Sequence, residues 1–120
     1  PFSVRSYALP DLFAGKMHAL LCRSWKTRVK GRDWYDFVWY VARGTKLNLK
    51  HLEARMRQTN HYKSKDPMSR EELLNLLDVK IQSLDIDQAR SDVLPYLKNQ
   101  EAVAIWSQDF FRSVAQQIAS

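Results

Sequence analysis

Four charged side chains in the first third of the chain have the types and the spacing of a phosphate-binding site. Lys16 and Arg23 are seven residues apart, so on one helix they lie on the same side, two turns from each other. Asp33 and Asp36 are three residues apart and share a face of the next helix. If these two helices pack as a hairpin, Lys16 can approach Asp36. A lysine beside a carboxylate can bind a phosphate, and the basic loop that joins the two helices lies next to this pair in the sequence.

A structural interpretation of the same residues stays open. Lys16 and Asp36 can form a simple salt bridge between two helices, with Asp33 capping the second one. Spacing alone does not separate this from a phosphate site, and it names no reaction.

Charge is unevenly distributed along the chain, whose formal net charge is +6. Residues 12–32 contain no acidic side chain, and six basic residues fall there: Lys16, Arg23, Lys26, Arg28, Lys30 and Arg32. Such a run is either a solvated basic face or a surface for phosphates and nucleic acid.

The elements that must position these residues are predicted to be helical. The chain has 120 residues, which fits a single domain over residues 1–120, and its low Gly and Pro content favours helices. The lone Cys22 cannot form an internal disulfide, and charges interrupt every apolar stretch before it reaches a membrane-spanning length. We therefore expect a cytoplasmic protein without a membrane segment. Because the chain begins with Pro1, we expect a fragment of a longer protein.

We expect a small bundle of about five helices, preceded by a short extended segment. Residues 2–7 alternate apolar and polar side chains, which is typical of a strand, although no partner strand is evident. The first helix is predicted from residues 9–11, with Pro10 in its first turn, to about Trp25. The second is predicted from Arg32 or Asp33 to Gly44, and it is apolar on most sides, as expected for a helix that lies in a core or between two domains.

Capping residues mark the remaining helices. Asn48 is predicted to cap a third helix that ends near Gln58, and Ser69 with Glu72 has the pattern of a capping box for a fourth. A short helix is predicted over residues 86–93, stopped by Pro95. Asn99 is predicted to cap one last helix that reaches about Ile118.

Two segments together resemble a known family. Residues 11–23, an alanine- and leucine-rich stretch with Lys16 and Arg23, and residues 32–37, which read Arg-Asp-Trp-Tyr-Asp-Phe, look like the third and fourth motifs of the AbiEii/AbiGii nucleotidyltransferase toxins. The match covers about the first 45 residues. Residues 93–118 resemble the end of that family more weakly.

The resemblance implies a two-part nucleotidyltransferase-like protein, of which this chain is the helical C-terminal part. An N-terminal polymerase-beta-like domain, missing here, would hold the metal-binding acidic pair. The whole protein would use Mg²⁺ and a nucleoside triphosphate, would modify an acceptor such as RNA, and would be paired with an antitoxin. Lys16 would face the triphosphate, and Asp36 or Asp33 would orient a catalytic group or the attacking hydroxyl. Arg23, Arg28 and Arg32 would be phosphate contacts or partners of those aspartates.

The sequence departs from the family pattern because it contains no Gly-Ser motif and no metal-binding Asp pair in a strand-turn context. Asp85 and Asp87 follow the helical motifs and precede a short helix, so we do not expect a metal there. The three histidines lack the spacing of a zinc site, and Cys22 is expected to be a buried, inert thiol. We therefore expect no metal site and no activity in this part alone.

Two other functions remain open at this point. The chain could be a basic helical module that binds RNA or DNA through Lys26, Arg28, Lys30 and Arg32. It could also be a structural bundle whose apolar faces form a dimer.

Overall fold

Helices form nearly all of the regular structure. A computed structural model of the chain describes the backbone of residues 2–22 and 31–120 and the side chains of residues 9–22 and 31–120. The α-helices are α1 Phe2–Cys22, α2 Gly31–Ala42, α3 Leu49–Gln58, α4 Arg70–Ser83, α5 Ile86–Val93 and α6 Gln108–Gln116. Short 3₁₀ helices cover Leu94–Tyr96 and Gln100–Val103. These ranges contain no strand, which confirms the mainly helical fold class.

The prediction of an extended segment over residues 2–7 is wrong. Residues 2–7 are the first turns of α1, and Pro10 lies inside this helix instead of opening it. A strand needs a neighbouring strand to pair its backbone groups, and the described part of the chain supplies none. A helix pairs those groups within itself and loses only one hydrogen bond at the proline.

Most helix ends follow the sequence signals. Asn48 caps α3, Ser69 and Glu72 form the predicted capping box of α4, and Asp85 caps α5. Gly44, with φ of 71°, ends the α2 turn in a Schellman arrangement. In it the Gly44 amide donates to Val41 O and the Thr45 amide to Tyr40 O, at 2.9 and 3.1 Å.

The prediction of one continuous last helix is wrong. Asn99 caps only the 3₁₀ helix over Gln100–Val103, and Ser107 caps a separate α6. The guanidinium of Arg90 donates to Val103 O at 3.1 Å and to Trp106 O at 2.9 Å. Arg90 thus binds carbonyl oxygens at the break between this 3₁₀ helix and α6. The Ser107 hydroxyl accepts a hydrogen bond from the Phe110 amide and so starts α6.

The core lies where the helices cross. α1 packs against α2 and α3, α2 packs against α5, and α4 packs against α6. The largest fully buried side chains come from α1, α2, α3, α4, α6 and the second 3₁₀ helix: Phe13, Phe37, Phe111, Met17, Leu52, Met56, Leu73, Leu77, Ile81 and Val103. Burial of each such side chain contributes roughly 1.5–3 kcal/mol, so this shared core fixes the positions of α1 and α2.

Gly31 allows α2 to start against α5. A Cβ atom at this position would overlap the carbonyl oxygen of Ala89 and would lie 2.9 Å from Asp92 Cβ. The Gly31 amide donates to Asp92 Oδ2 at 3.0 Å, which pairs one of the free amides at the helix start. Only a residue without a side chain fits this contact.

The last residues bind back onto the middle of the chain. Leu47 N donates to Ala119 O at 2.7 Å, and Lys46 forms an isolated parallel bridge with Ala119. The Arg70 guanidinium donates to Gln116 O and to Ile118 O. The α2–α3 connection and the start of α4 are therefore both held by the segment after α6.

Candidate functional site

An aromatic stack sets the register between α1 and α2. The rings of Phe13 and Tyr40 lie parallel, with centroids 4.9 Å apart and an angle of 8° between their planes. Lys16 follows Phe13 by one turn of α1, and Asp36 precedes Tyr40 by one turn of α2. The two helices run antiparallel, so the stack brings the lysine and the aspartate to the same level.

Lys16 and Asp36 form an ion pair between these helices. Lys16 Nζ lies 2.9 Å from Asp36 Oδ2, and the side chains are 45% and 32% exposed. The expectation that a hairpin brings the two together is confirmed. A pair this accessible contributes only about 0–1 kcal/mol to stability. Both groups can therefore exchange partners at little cost.

The other two described site candidates flank this pair on α2. Asp33 lies in the first turn of α2, one turn before Asp36, and it is half-buried. A carboxylate there interacts favourably with the positive end of the helix dipole. Arg32 is exposed beside it, so a phosphate could reach its guanidinium from solvent.

The remaining basic candidates belong to the segment between α1 and α2. Arg23 and Arg28 lie outside the residues that the structure describes, as do Lys26 and Lys30. Their roles therefore remain predictions from the sequence.

The described carboxylates do not gather into a cluster of three. Mg²⁺ takes oxygen ligands in a nearly octahedral arrangement. Over residues 9–22 and 31–120, no three acidic side chains converge, and one oxygen of Asp36 already contacts Lys16. Asp85 and Asp87 serve other roles, since Asp85 caps α5 and Asp87 pairs with Arg90 at 2.8 Å.

A group that the sequence reasoning missed lies on another face of α1. One ligand atom from each of His18, Cys22 and His61 lies within 4.8 Å of the others. The four-residue spacing of His18 and Cys22 on a helix was the available signal. The approach of His61 depends on the turn after α3, which spacing does not reveal.

The sequence predicts a buried thiol at Cys22, but the structure shows it half-buried. Burial raises the pKa of Cys22 above its ordinary value, and the positive charge of Lys80 on α4 acts in the opposite direction. Without a further cation the thiol is therefore protonated at neutral pH, and its nucleophilicity is low.

Two further observations bear on the setting of the site. No helix in the described part of the chain is long and apolar enough to span a bilayer. Leu12 and Trp39, which lie one turn from Lys16 and Asp36, are large apolar side chains that are 52% and 42% exposed.

Comparison with known protein families gave a match over most of the chain. The family model described as "Nucleotidyl transferase AbiEii toxin, Type IV TA system" matches residues 1–115. Neither a curated protein nor a solved structure matches significantly.

Proposed function

This chain belongs to the AbiEii family of nucleotidyltransferase toxins from type IV toxin–antitoxin systems, and we propose that it supplies the triphosphate-binding lysine and a catalytic carboxylate to nucleotidyl transfer. The observation that carries this proposal is the accessible Lys16–Asp36 pair, with Nζ 2.9 Å from Oδ2. It joins the two segments that carry the family's motifs.

The reaction would transfer a nucleotidyl group from a nucleoside triphosphate to an acceptor hydroxyl, with RNA as the candidate acceptor. The hydroxyl oxygen attacks the α-phosphorus and forms a new P–O bond. The bond from that phosphorus to the oxygen bridging toward the β-phosphate breaks, and pyrophosphate leaves. The hydroxyl proton passes to a base. Positioning and charge neutralisation supply most of the catalysis in such reactions.

Lys16 would bind the triphosphate by exchanging its partner. The ammonium is a compact point charge on a flexible stem, which suits phosphate oxygens. Because the pair with Asp36 is solvent-accessible and weak, a triphosphate with several negative charges can compete for the lysine.

Release of Lys16 leaves the Asp36 carboxylate available to the acceptor. It would accept a hydrogen bond from the attacking hydroxyl and take its proton. We assign this role to Asp36 rather than to Asp33, because Asp36 is already paired with the phosphate-binding lysine. Asp33, in the first turn of α2, would hold Asp36 and Arg32 in place.

The arginines would complete the phosphate site. Arg32 is exposed at the start of α2, and Arg23 and Arg28 come from the basic segment before it. A planar guanidinium can bind phosphate oxygens in a bidentate manner.

Other parts of the reaction would come from outside this helical domain. We propose that an N-terminal domain holds Mg²⁺ and docks on the exposed apolar side chains beside the Lys16–Asp36 pair, Leu12 and Trp39. The single domain over residues 1–120 would then be inactive without it. An antitoxin protein would control the assembled enzyme in the cytoplasm.

The direct test is calorimetric titration of the protein carrying both parts with each Mg²⁺–nucleoside triphosphate. Lys16→Ala should weaken binding roughly 10- to 100-fold, which corresponds to the loss of a charged hydrogen bond. Lys50→Ala, at an exposed lysine of α3, is the matched control and should bind as the wild type does. Equal binding by the wild type and Lys16→Ala would overturn the assignment.

The run of basic residues without an acidic neighbour over residues 12–32 favours a second function, which is nucleic-acid binding without catalysis. Affinity for RNA would then fall steeply with salt and would not respond to triphosphate. Salt titrations with and without a nucleoside triphosphate separate the two functions.

A further inference from the structure

His18, Cys22 and His61 converge on the face of α1 turned away from the Lys16–Asp36 pair. We propose that these three side chains bind one Zn²⁺ ion, with a water molecule as the fourth ligand. Their ligand atoms already lie within 4.8 Å of one another. This site is independent of nucleotidyl transfer and of the magnesium that the family's reaction would use.

The helix presents two of the ligands together. His18 and Cys22 are one turn apart, so their side chains lie one above the other on the same face of α1. Lys16 is two residues before His18 and therefore about 200° away around the helix. A metal bound by His18 and Cys22 would leave the phosphate-binding lysine accessible.

The turn after α3 fixes the third ligand. Thr59 N donates to Arg55 O, and Asn60, with φ of 62°, donates to Arg57 O at 3.1 Å. His61 N donates to Met56 O at 2.8 Å. Together these bonds form a Schellman motif, in which the position of the residue after the left-handed one is set by backbone geometry. His61 is thus held toward α1 even though its side chain is exposed.

One hydroxyl contacts both imidazoles. Thr59 Oγ1 lies 3.1 Å from Nε2 of His18 and 2.7 Å from Nδ1 of His61. It can donate its hydrogen to the carbonyl oxygen of Arg55 or Met56, at 3.2 and 3.3 Å. Its oxygen then accepts an N–H from each ring. Metal-binding histidines commonly donate their other N–H to an oxygen in this way.

The ligand chemistry selects the metal. One thiolate and two imidazoles suit Zn²⁺ and do not suit Mg²⁺, which takes oxygen ligands. Zn–N and Zn–S bonds of about 2.0–2.3 Å place tetrahedral ligands about 3.3–3.6 Å apart, so the three ligand atoms must approach one another by up to about 1.5 Å. On binding, the Cys22 thiol releases its proton to solvent, and the S–Zn bond forms. The metal would link α1 to the turn after α3.

The test uses the purified chain without a histidine tag, titrated with Co²⁺ as a spectroscopic substitute for Zn²⁺ and then with Zn²⁺ in competition. We expect one ion per chain, a thiolate-to-cobalt charge-transfer band and displacement of Co²⁺ by Zn²⁺. Zn²⁺ should also raise the melting temperature, because it binds the folded state. No uptake, or uptake without the charge-transfer band, would overturn the proposal.

Variants separate the ligands from the rest of the fold. Loss of a residue that hydrogen-bonds a metal ligand typically weakens metal binding roughly 10- to 100-fold, and Thr59→Val should weaken Co²⁺ binding by that much. Cys22→Ser and His61→Ala each remove a ligand, so they should weaken Co²⁺ binding more than this. His51→Ala, at the histidine outside the cluster, is the matched control and should bind as the wild type does. The helical circular dichroism of each metal-free variant shows whether it folds. Folded Cys22→Ser and His61→Ala variants that both bind as the wild type does would exclude this site. Neither result depends on nucleotide binding.

Discussion

The ammonium of Lys16 in α1 lies 2.9 Å from a carboxylate oxygen of Asp36 in α2. Both side chains are accessible, and the aromatic stack of Phe13 on Tyr40 holds the two helices in register beside them. A pair that contributes little to stability can be broken at little cost, which is the premise of its proposed exchange for a substrate.

Replacement of Asp36 by Asn should separate binding from catalysis. The change frees Lys16 and removes a negative charge near the phosphates, so triphosphate binding should stay equal or become tighter. Transfer should slow by about 100-fold or more, because a general base typically contributes that much. Calorimetry and a single-turnover transfer assay measure the two effects. Asp33→Asn is the comparison variant. A transfer rate in Asp36→Asn equal to that of the wild type would show that Asp36 is not the general base.

The stability of the pair itself gives a second prediction. Lys16→Ala and Asp36→Asn should each lower the free energy of unfolding by less than about 1 kcal/mol. Urea unfolding of both variants and of their combination gives the coupling between the two residues. A loss several times larger would indicate that the pair is structural and would count against its proposed exchange.

Gly31→Ala should destabilise the chain by about 2–3 kcal/mol or more, because the added methyl group overlaps the Ala89 carbonyl of α5. Gly15→Ala is a matched control inside α1, where the nearest atom to the added carbon, Arg55 Nη1, is 3.6 Å away. That change should stabilise by about 0.5–1 kcal/mol through helix propensity. Thermal and urea unfolding check both signs. Equal stabilities of the two variants would contradict the close contact of α2 with α5.

Glu53 should make stability depend on pH. The Met68 amide donates to Glu53 Oε1 at 2.7 Å, and Arg57 Nε donates to Oε2 at 2.9 Å. These two hydrogen bonds hold the pKa of Glu53 below its ordinary value of 4.5, and the bond from the Met68 amide has the larger effect. A lowered folded pKa gives stability above the unfolded pKa, and this stability is lost as pH falls through the folded value.

The corresponding experiment compares Glu53→Gln with the wild type over a range of pH. The difference in unfolding free energy should be largest near neutral pH and should shrink as the solution becomes more acidic than the ordinary glutamate pKa. Glu101→Gln, at an exposed glutamate, is the control and should show no such trend. A difference that is constant with pH would contradict the proposed role of the carboxylate.

Arg90 should be essential to the break before α6. Arg90→Lys loses the forked contact with Val103 O and Trp106 O, and we expect a loss of about 1–3 kcal/mol. Asp87→Asn removes the exposed ion pair with Arg90 and one charge in the first turn of α5, and it should cost less than about 1 kcal/mol. Chemical unfolding measures both. Similar small losses for the two variants would show that the carbonyl contacts matter little.

The meeting of Lys16 with Asp36 was predictable, because helical periodicity and a short connection place both side chains on facing surfaces of a hairpin. The caps at Asn48 and Ser69 were predictable for a similar reason, since they depend on residues close in sequence. Local chemistry decides such features, so one sequence is sufficient to find them.

Features that depend on distant contacts could not be predicted. Asn99 has the pattern of a helix cap, but Arg90 of another helix binds the carbonyl groups beyond it and divides the segment. His61 approaches His18 only because of the turn at Asn60. The alternation over residues 2–7 indicated a strand, and the helix formed because the described chain offers no sheet to join.

The attachment of the final residues to the α2–α3 connection has a consequence for synthesis. Leu47 pairs with Ala119, and Arg70 binds the carbonyls of Gln116 and Ile118. Because translation proceeds from the N-terminus, α1 to α3 emerge from the ribosome long before these partners do. The α2–α3 connection therefore reaches its final form only after Ala119 has emerged from the ribosome. In the nascent chain this connection would be completed last.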